Sequence, residues 1–151
     1  MKIGDKIPEI LGTDAQGNVI KASDFAGKKL VIYFYPKDNT PGCTAEACSL
    51  SEGYGKLLKA GFAIVGVSKD SAASHEKFAA KHNLPFPLIA DVELTLNQAF
   101  GVWQEKKMAG RTYMGTVRTT FIADEQGTIT HIINKVNTKD SANQILALFA
   151  D

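Results

Sequence analysis

The chain has 151 residues, of which 44% are hydrophobic and 22% charged, the balance of a globular rather than a disordered protein. At that length roughly two-thirds of the unfolded surface is buried on folding, so an ordinary core needs neither disulfide staples nor a structural metal. Seventeen basic against sixteen acidic residues leave a net charge of +1, which gives no electrostatic footprint for nucleic acid or an anionic membrane.

In chain order, residues 10–20 predict an amino-terminal hairpin around a turn at 14–17. Residues 30–35 form the longest apolar stretch, strand-sized and far short of a membrane span. With residues 62–67 they read as continuous apolar runs, expected of central strands covered on both faces. A helix over 44–59 follows the first of them and contains Gly53 and Gly55. Residues 71–82 have helical composition, with Asp70 or Ser71 as the cap. Residues 87–90 make a short strand, and 94–100 a short helix before Gly101. Residues 118–123 and 128–134 flank a turn at 124–127, which predicts an antiparallel hairpin. A last helix over 141–150 sets Ile145, Leu146 and Phe149 on one face. Neither repeat nor linker interrupts the pattern, so residues 1–151 are expected to form one domain. The order is that of an α/β fold with a mixed central sheet.

The opening MKIGDKIPEI lacks the apolar stretch of a signal peptide, and a cytoplasmic location is expected. In that reducing compartment two cysteines are reactive sooner than structural. Both lie in residues 33–48, YFYPKDNTPGCTAEAC, which run from a buried strand through a polar loop into a helix start. Thr40 suits the N-cap and Pro41 the first helical position, so Cys43 falls in the first turn. Unpaired N–H groups and the helix dipole there favour a thiolate, and cysteines so placed have pKa values lowered to roughly 3.5–7.5.

The motif Pro36-x3-Thr40-x2-Cys43 resembles the active-site signature of peroxiredoxins. The longer run YFYPKDxTPGCT resembles their bacterioferritin-comigratory, or peroxiredoxin Q, branch. The likeness spans nearly the whole chain, through GDKIP at 4–8, FGVWQEK at 100–106, GRTYMG at 110–115 and RxTFIxD at 118–124. It implies a thioredoxin-like α/β fold with peroxiredoxin insertions. Cys43 matches the peroxidatic cysteine. Thr40 would hydrogen-bond the sulfur and the peroxide, and Arg118 would stabilise the thiolate and the developing oxygen charge. Pro36 and Gly42 would complete the peroxide pocket, and Glu46 would hold the arginine in place. Cys48 matches the resolving cysteine of the branch. Some relatives carry that residue on the next helix, where this chain has Ala79, Ala80 and His82.

The resemblance implies reduction of hydrogen peroxide and organic hydroperoxides without metal, haem or flavin. Thioredoxin or a similar dithiol would recycle the disulfide, and the protein would act as a monomer in antioxidant defence. In an ideal helix residues five apart have Cα atoms about 8.7 Å apart. A disulfide needs roughly 4.4–6.8 Å, so the first turns must unwind in each cycle. Gly53 and Gly55 would ease that melting or else serve close packing. Trp103 and Met108 would line a lid near the pocket or pack elsewhere. His75, His82 and His131 form no compact ligand spacing with the cysteines. The rivals are a thioredoxin-type oxidoreductase, which expects C-x-x-C, and a redox sensor that signals through its sulfenate or disulfide.

Overall fold

A computed structural model describes residues 1–149. Strands β1 (Ile10–Thr13) and β2 (Val19–Lys21) form the expected hairpin, and a single 3-10 turn follows. The central sheet contains β3 (Lys29–Phe34), β4 (Phe62–Ser68), β5 (Leu88–Ala90), β8 (Thr119–Ala123) and β9 (Ile129–Ile133) in the order β5-β4-β3-β8-β9. Strands β3, β4 and β5 are parallel to one another. Strand β8 runs antiparallel to β3, and β9 antiparallel to β8. The sheet is therefore mixed, as expected.

Alternation along β3 explains why its sequence reads as an unbroken apolar run. Leu30, Ile32 and Phe34 enter one core with Val65, Val67, Phe100 and Phe121. Val31, Tyr33 and Tyr35 enter the other with Leu50, Leu57, Phe78 and Ile145. The second core is closed by four helices, α1 (Pro41–Glu52), α2 (Tyr54–Lys59), α3 (Ala72–His82) and α5 (Ser141–Ala147), and α4 (Thr95–Ala99) covers the first. Every residue of β4 is buried. Within it, a Cβ on Gly66 would lie 2.8 Å from the Tyr33 ring, so glycine there lets the phenol lie flat across the strand.

The expected helix over 44–59 is two helices. The first starts at Pro41, as the cap placement predicts, and ends at Glu52. Gly53, with φ −88° and ψ 4°, separates them, and a Cβ there would collide with Ala142 Cβ in α5. Gly53 thus serves close packing, whereas Gly55 faces open space. The cap of α3 is Ser71, whose hydroxyl accepts from Ser74 N at 3.2 Å. The last helix ends at Ala147, and Ala150 of the expected range lies outside the described residues. Leu148 and Phe149 bond back three residues, a tightened final turn.

A third hairpin was not expected. Strands β6 (Trp103–Met108) and β7 (Arg111–Thr116) pair antiparallel around Ala109 and Gly110, which both have positive φ, 52° and 79°. Two such residues make the primed turn that fits the twist of a hairpin. Met108 sits at its tip, 65% exposed, and Trp103 is half-buried at its base. The base bond, Val117 N to Val102 O, delivers the chain to Arg118 at the start of β8. No helix among the described residues is long and apolar enough to cross a membrane.

Candidate active site

The carboxyl end of β3 leads through Pro36 to the start of α1. Asn39 turns the chain with φ 63°, a left-handed conformation that Asn tolerates better than most residues. The first helical bond runs from Thr44 N to Thr40 O at 2.9 Å. Helix geometry therefore leaves the Gly42 and Cys43 N–H groups without intrahelical partners. Thr40 occupies the N-cap, but its side chain does not cap the helix. Its hydroxyl donates instead to Lys37 O at 2.9 Å, not to the cysteine sulfur.

Cys43 is 1% exposed, and Arg118 reaches it from the start of β8, the strand beside the carboxyl end of β3. Arg118 Nη2 donates to Cys43 Sγ at 3.2 Å and Nη1 to Glu46 Oε1 at 2.7 Å. Cys43 and Glu46 are three apart on one helical face, so a single planar fork spans both. Gly42 makes room for the fork, since a Cβ there would stand 3.2 Å from Nη2. Pro36 is half-buried where the chain leaves β3. Cys43, Glu46, Gly42 and Arg118 thus meet, with Thr40 and Pro36 at the loop beside them.

The electrostatics follow from burial and from this fork. Glu46 is fully buried, and burial pushes its carboxyl up to about 7 against the pull of Arg118. Its Oε2 has no hydrogen-bond partner among the described residues. Burial works against the Arg118 guanidinium, but the charges of Glu46 and Cys43 outweigh it and hold its pKa above the ordinary value. Lys106 in β6 was missed by the sequence reading as a site residue. Its Nζ donates to Thr116 O at 3.0 Å, and burial followed by the charges of Arg118 and Lys69 lowers its pKa, while Cys43 raises it. Its signal lay in the segment FGVWQEK, quoted above without a role for the lysine.

A second group missed from sequence fixes the loop. Asp38 is 3% exposed and accepts from Tyr35 OH at 2.7 Å, Ser74 Oγ at 2.8 Å and His75 Nδ1 at 2.7 Å. Its own N–H donates to Asp70 Oδ2 at 2.9 Å, and His75 Nε2 meets Ile89 O at 2.9 Å. Burial opposes the Asp38 carboxylate, but the bonds from His75 and Tyr35 hold its pKa below the ordinary value. Asp38, Asp70 and His75 bring ligand atoms within 4.8 Å of one another, yet these atoms are already hydrogen-bonded and neither cysteine is among them.

Cys48 is a free, half-buried thiol on the same helix. It does not meet the Arg118 cluster. Its Sγ lies 3.8 Å from His82 Nδ1 in α3.

The chain matches the model of the AhpC/TSA family over residues 3–132. It is 43% identical to the peroxiredoxin Bcp of Bacillus subtilis (strain 168) over 151 residues, all of this chain and 96% of that protein. It is 37% identical to the peroxiredoxin Bcp of Escherichia coli (strain K12) over 146 residues, 97% of this chain and 94% of that one. Among solved structures, the Xanthomonas campestris bacterioferritin comigratory protein, described for alkyl peroxide reduction, matches with a TM-score of 0.84 at 36% identity, over 95% of this chain and 96% of that one. The fold shared with it is thioredoxin-like.

Proposed function

The chain belongs to the AhpC/TSA family and is a thiol-dependent peroxidase of the peroxiredoxin type, and on that premise we propose that Cys43 is its nucleophile and Cys48 its resolving thiol. The observation that carries this reading is the Arg118 fork, 3.2 Å from Cys43 Sγ and 2.7 Å from Glu46. The Cys43 thiolate attacks the nearer oxygen of a hydroperoxide and the O–O bond breaks. Sulfur gives up two electrons and becomes a sulfenic acid. The other oxygen leaves with the electron pair and takes a proton, yielding alcohol or water.

Negative charge leaves sulfur and grows on the departing oxygen. Arg118 and the free N–H groups of Gly42 and Cys43 face that change already oriented, and one such donor is worth about 10²–10³ in rate. Ionising an ordinary thiol at pH 7 supplies no more than about 30-fold. Thr40 has spent its hydroxyl hydrogen on Lys37, so its oxygen is free to accept from the peroxide O–H. Pro36 shields the loop side of the pocket.

Cys43 and Cys48 then close a disulfide after the first turns of α1 open, because the helical spacing of about 8.7 Å exceeds disulfide reach. Thioredoxin or a similar dithiol reduces it. Sulfur supplies both electrons, so no metal or organic cofactor is required. The substrates are hydrogen peroxide and organic hydroperoxides, the latter supported by the alkyl peroxide reduction described for the Xanthomonas protein. The protein works in the cytoplasm as a monomer, in antioxidant defence.

Peroxide turnover with thioredoxin tests this assignment. Cys43→Ser should consume no peroxide, and turnover there would overturn the nucleophile. Cys48→Ser should reduce about one peroxide per chain and then stall. Full thioredoxin-dependent turnover would remove Cys48 from the cycle. Insulin reduction without peroxide would favour the oxidoreductase rival, and failure to sustain peroxide consumption would favour a sensor.

A further inference from the structure

The resolving step also has a proton to dispose of. Sulfenic acid and thiol combine only if the thiol loses its hydrogen and the sulfenic oxygen leaves as water. Arg118 cannot take that proton, because a guanidinium has no acceptor site. Among the described residues, the hydrogen-bonding partner of the Cys48 sulfur is on another helix. His82 Nδ1 stands 3.8 Å from Cys48 Sγ, and both side chains are half-buried.

The histidine is held in place. It lies in the last turn of α3, which Asn83 closes in a left-handed conformation with N–H bonds to Ala79 O and Ala80 O. The Phe78 ring meets the imidazole edge-on, with centroids 5.0 Å apart and planes at 67°. Among the described residues the ring makes no ion pair and has one side-chain hydrogen-bonding contact, the Cys48 thiol. Its own helix adds Lys81 in the same turn. The carboxyl half of α1 is anchored as well, with Ala142 N donating to Ser49 Oγ at 3.4 Å beside Cys48. Opening of the first turns therefore brings Cys43 toward a Cys48 that stays beside His82.

We infer that His82 is the general base of the resolving step, taking the Cys48 proton as its sulfur attacks. This deepens the reading above and rests on Cys48 being the resolving thiol. Cys48 sulfur displaces the oxygen from Cys43, forming S–S and breaking S–O. Cys48 is oxidised, the sulfenic sulfur is reduced, and His82 passes the proton to the departing hydroxide to give water. A positioned base is worth about 10²–10⁴ in rate. Ordinary thiols are only about 3% ionised at pH 7, so a chain without the base resolves slowly there.

Stopped-flow measurement separates peroxide attack from resolution, and the pH profile of the second phase is decisive. His82→Gln keeps a polar side chain without a comparable base. Its resolution should slow at least tenfold at pH 7 and rise about tenfold per pH unit as solvent ionises the thiol. Added imidazole should restore His82→Ala. Attack at Cys43 should keep its rate. A His82→Gln profile parallel to wild type, or no imidazole rescue, would reduce His82 to a packing role. Cys48→Ser run alongside distinguishes the two failures. If that variant still resolves, the resolving assignment itself is wrong; if it is blocked while both His82 variants keep the wild-type profile, only the base is refuted.

Discussion

At Cys43 the sulfur is 1% exposed and faces a guanidinium that keeps its charge at any working pH. Further along the same helix, Cys48 is half-buried and faces an imidazole nitrogen of His82 on the neighbouring helix. The first environment is assembled from α1 and from Arg118 at the start of β8, with a buried carboxylate bracing the fork. The second is one contact between two helices. On the proposed assignment, one helix serves two steps of opposite demand. Attack on peroxide needs fixed charge around a still sulfur, and resolution needs a sulfur that can be reached and a proton that can leave.

The largest effect should come from dismantling the fixed charge. Arg118→Met should slow attack on peroxide by about 10²–10³, the scale of an oxyanion donor. Raising the pH should recover no more than the ~30-fold that ionisation of an ordinary thiol supplies. Arg118→Lys keeps a charge near Glu46 but loses the fork, and should fall between the two. Complete rescue of Arg118→Met at high pH would show that the arginine acts on thiol ionisation alone.

A smaller effect tests where the helix is free to open. Gly53→Ala should destabilise the fold by about 1–3 kcal/mol, because its Cβ would be driven into Ala142. Gly55→Ala meets nothing and should stabilise by up to about 1 kcal/mol. Denaturant midpoints of the two variants should move in opposite directions. Movement in the same direction would remove Gly53 from the contact between α1 and α5.

The smallest effect concerns Glu46, whose pKa of about 7 lies above the ordinary 4.5 because burial disfavours its charge. Between those values the folded protein holds a proton that the unfolded chain has released. Lowering the pH from 7 toward 4.5 therefore raises stability through this group, and Glu46→Gln should abolish that slope in denaturant titrations. Protonation also turns the ion pair with Arg118 into a hydrogen bond from a guanidinium to a neutral acid and so loosens the grip on the fork. A variant with the wild-type slope would place the titration elsewhere.

Strands β3 and β4 were legible because burial on both faces leaves an unbroken apolar run. The first turn of α1 was legible from Thr40, Pro41 and Cys43, although the threonine hydroxyl turned to Lys37 instead of the helix. The β6–β7 hairpin escaped because it packs no apolar face. Gln104, Glu105, Lys106 and Lys107 give no alternation, and its turn is Ala-Gly where Asn-Gly would have signalled it. Arg118 lies 75 residues from Cys43, and only the family likeness joined them beforehand. Nothing local announces that Cys48 meets His82, that Gly53 meets Ala142, or that Asp38 anchors the loop to α3. Those are facts of tertiary packing.

The Asp38 anchor has a kinetic consequence. With Asp38 bonded into α3 at one end and Ser49 tied to α5 at the other, the first turns that open on the proposed cycle belong to a tethered segment of 10 residues, 39–48, between the two anchors. Fully extended, the five-residue span between the cysteines reaches about 17 Å, so a sulfenate never drifts far from its own thiol. A short flexible tether of this kind sets an effective concentration in the millimolar range. Closing a loop of about ten residues takes on the order of 10–100 ns. Encounter between the sulfurs therefore outpaces a second collision with dilute peroxide. After reduction, α1 re-forms between anchors that never moved.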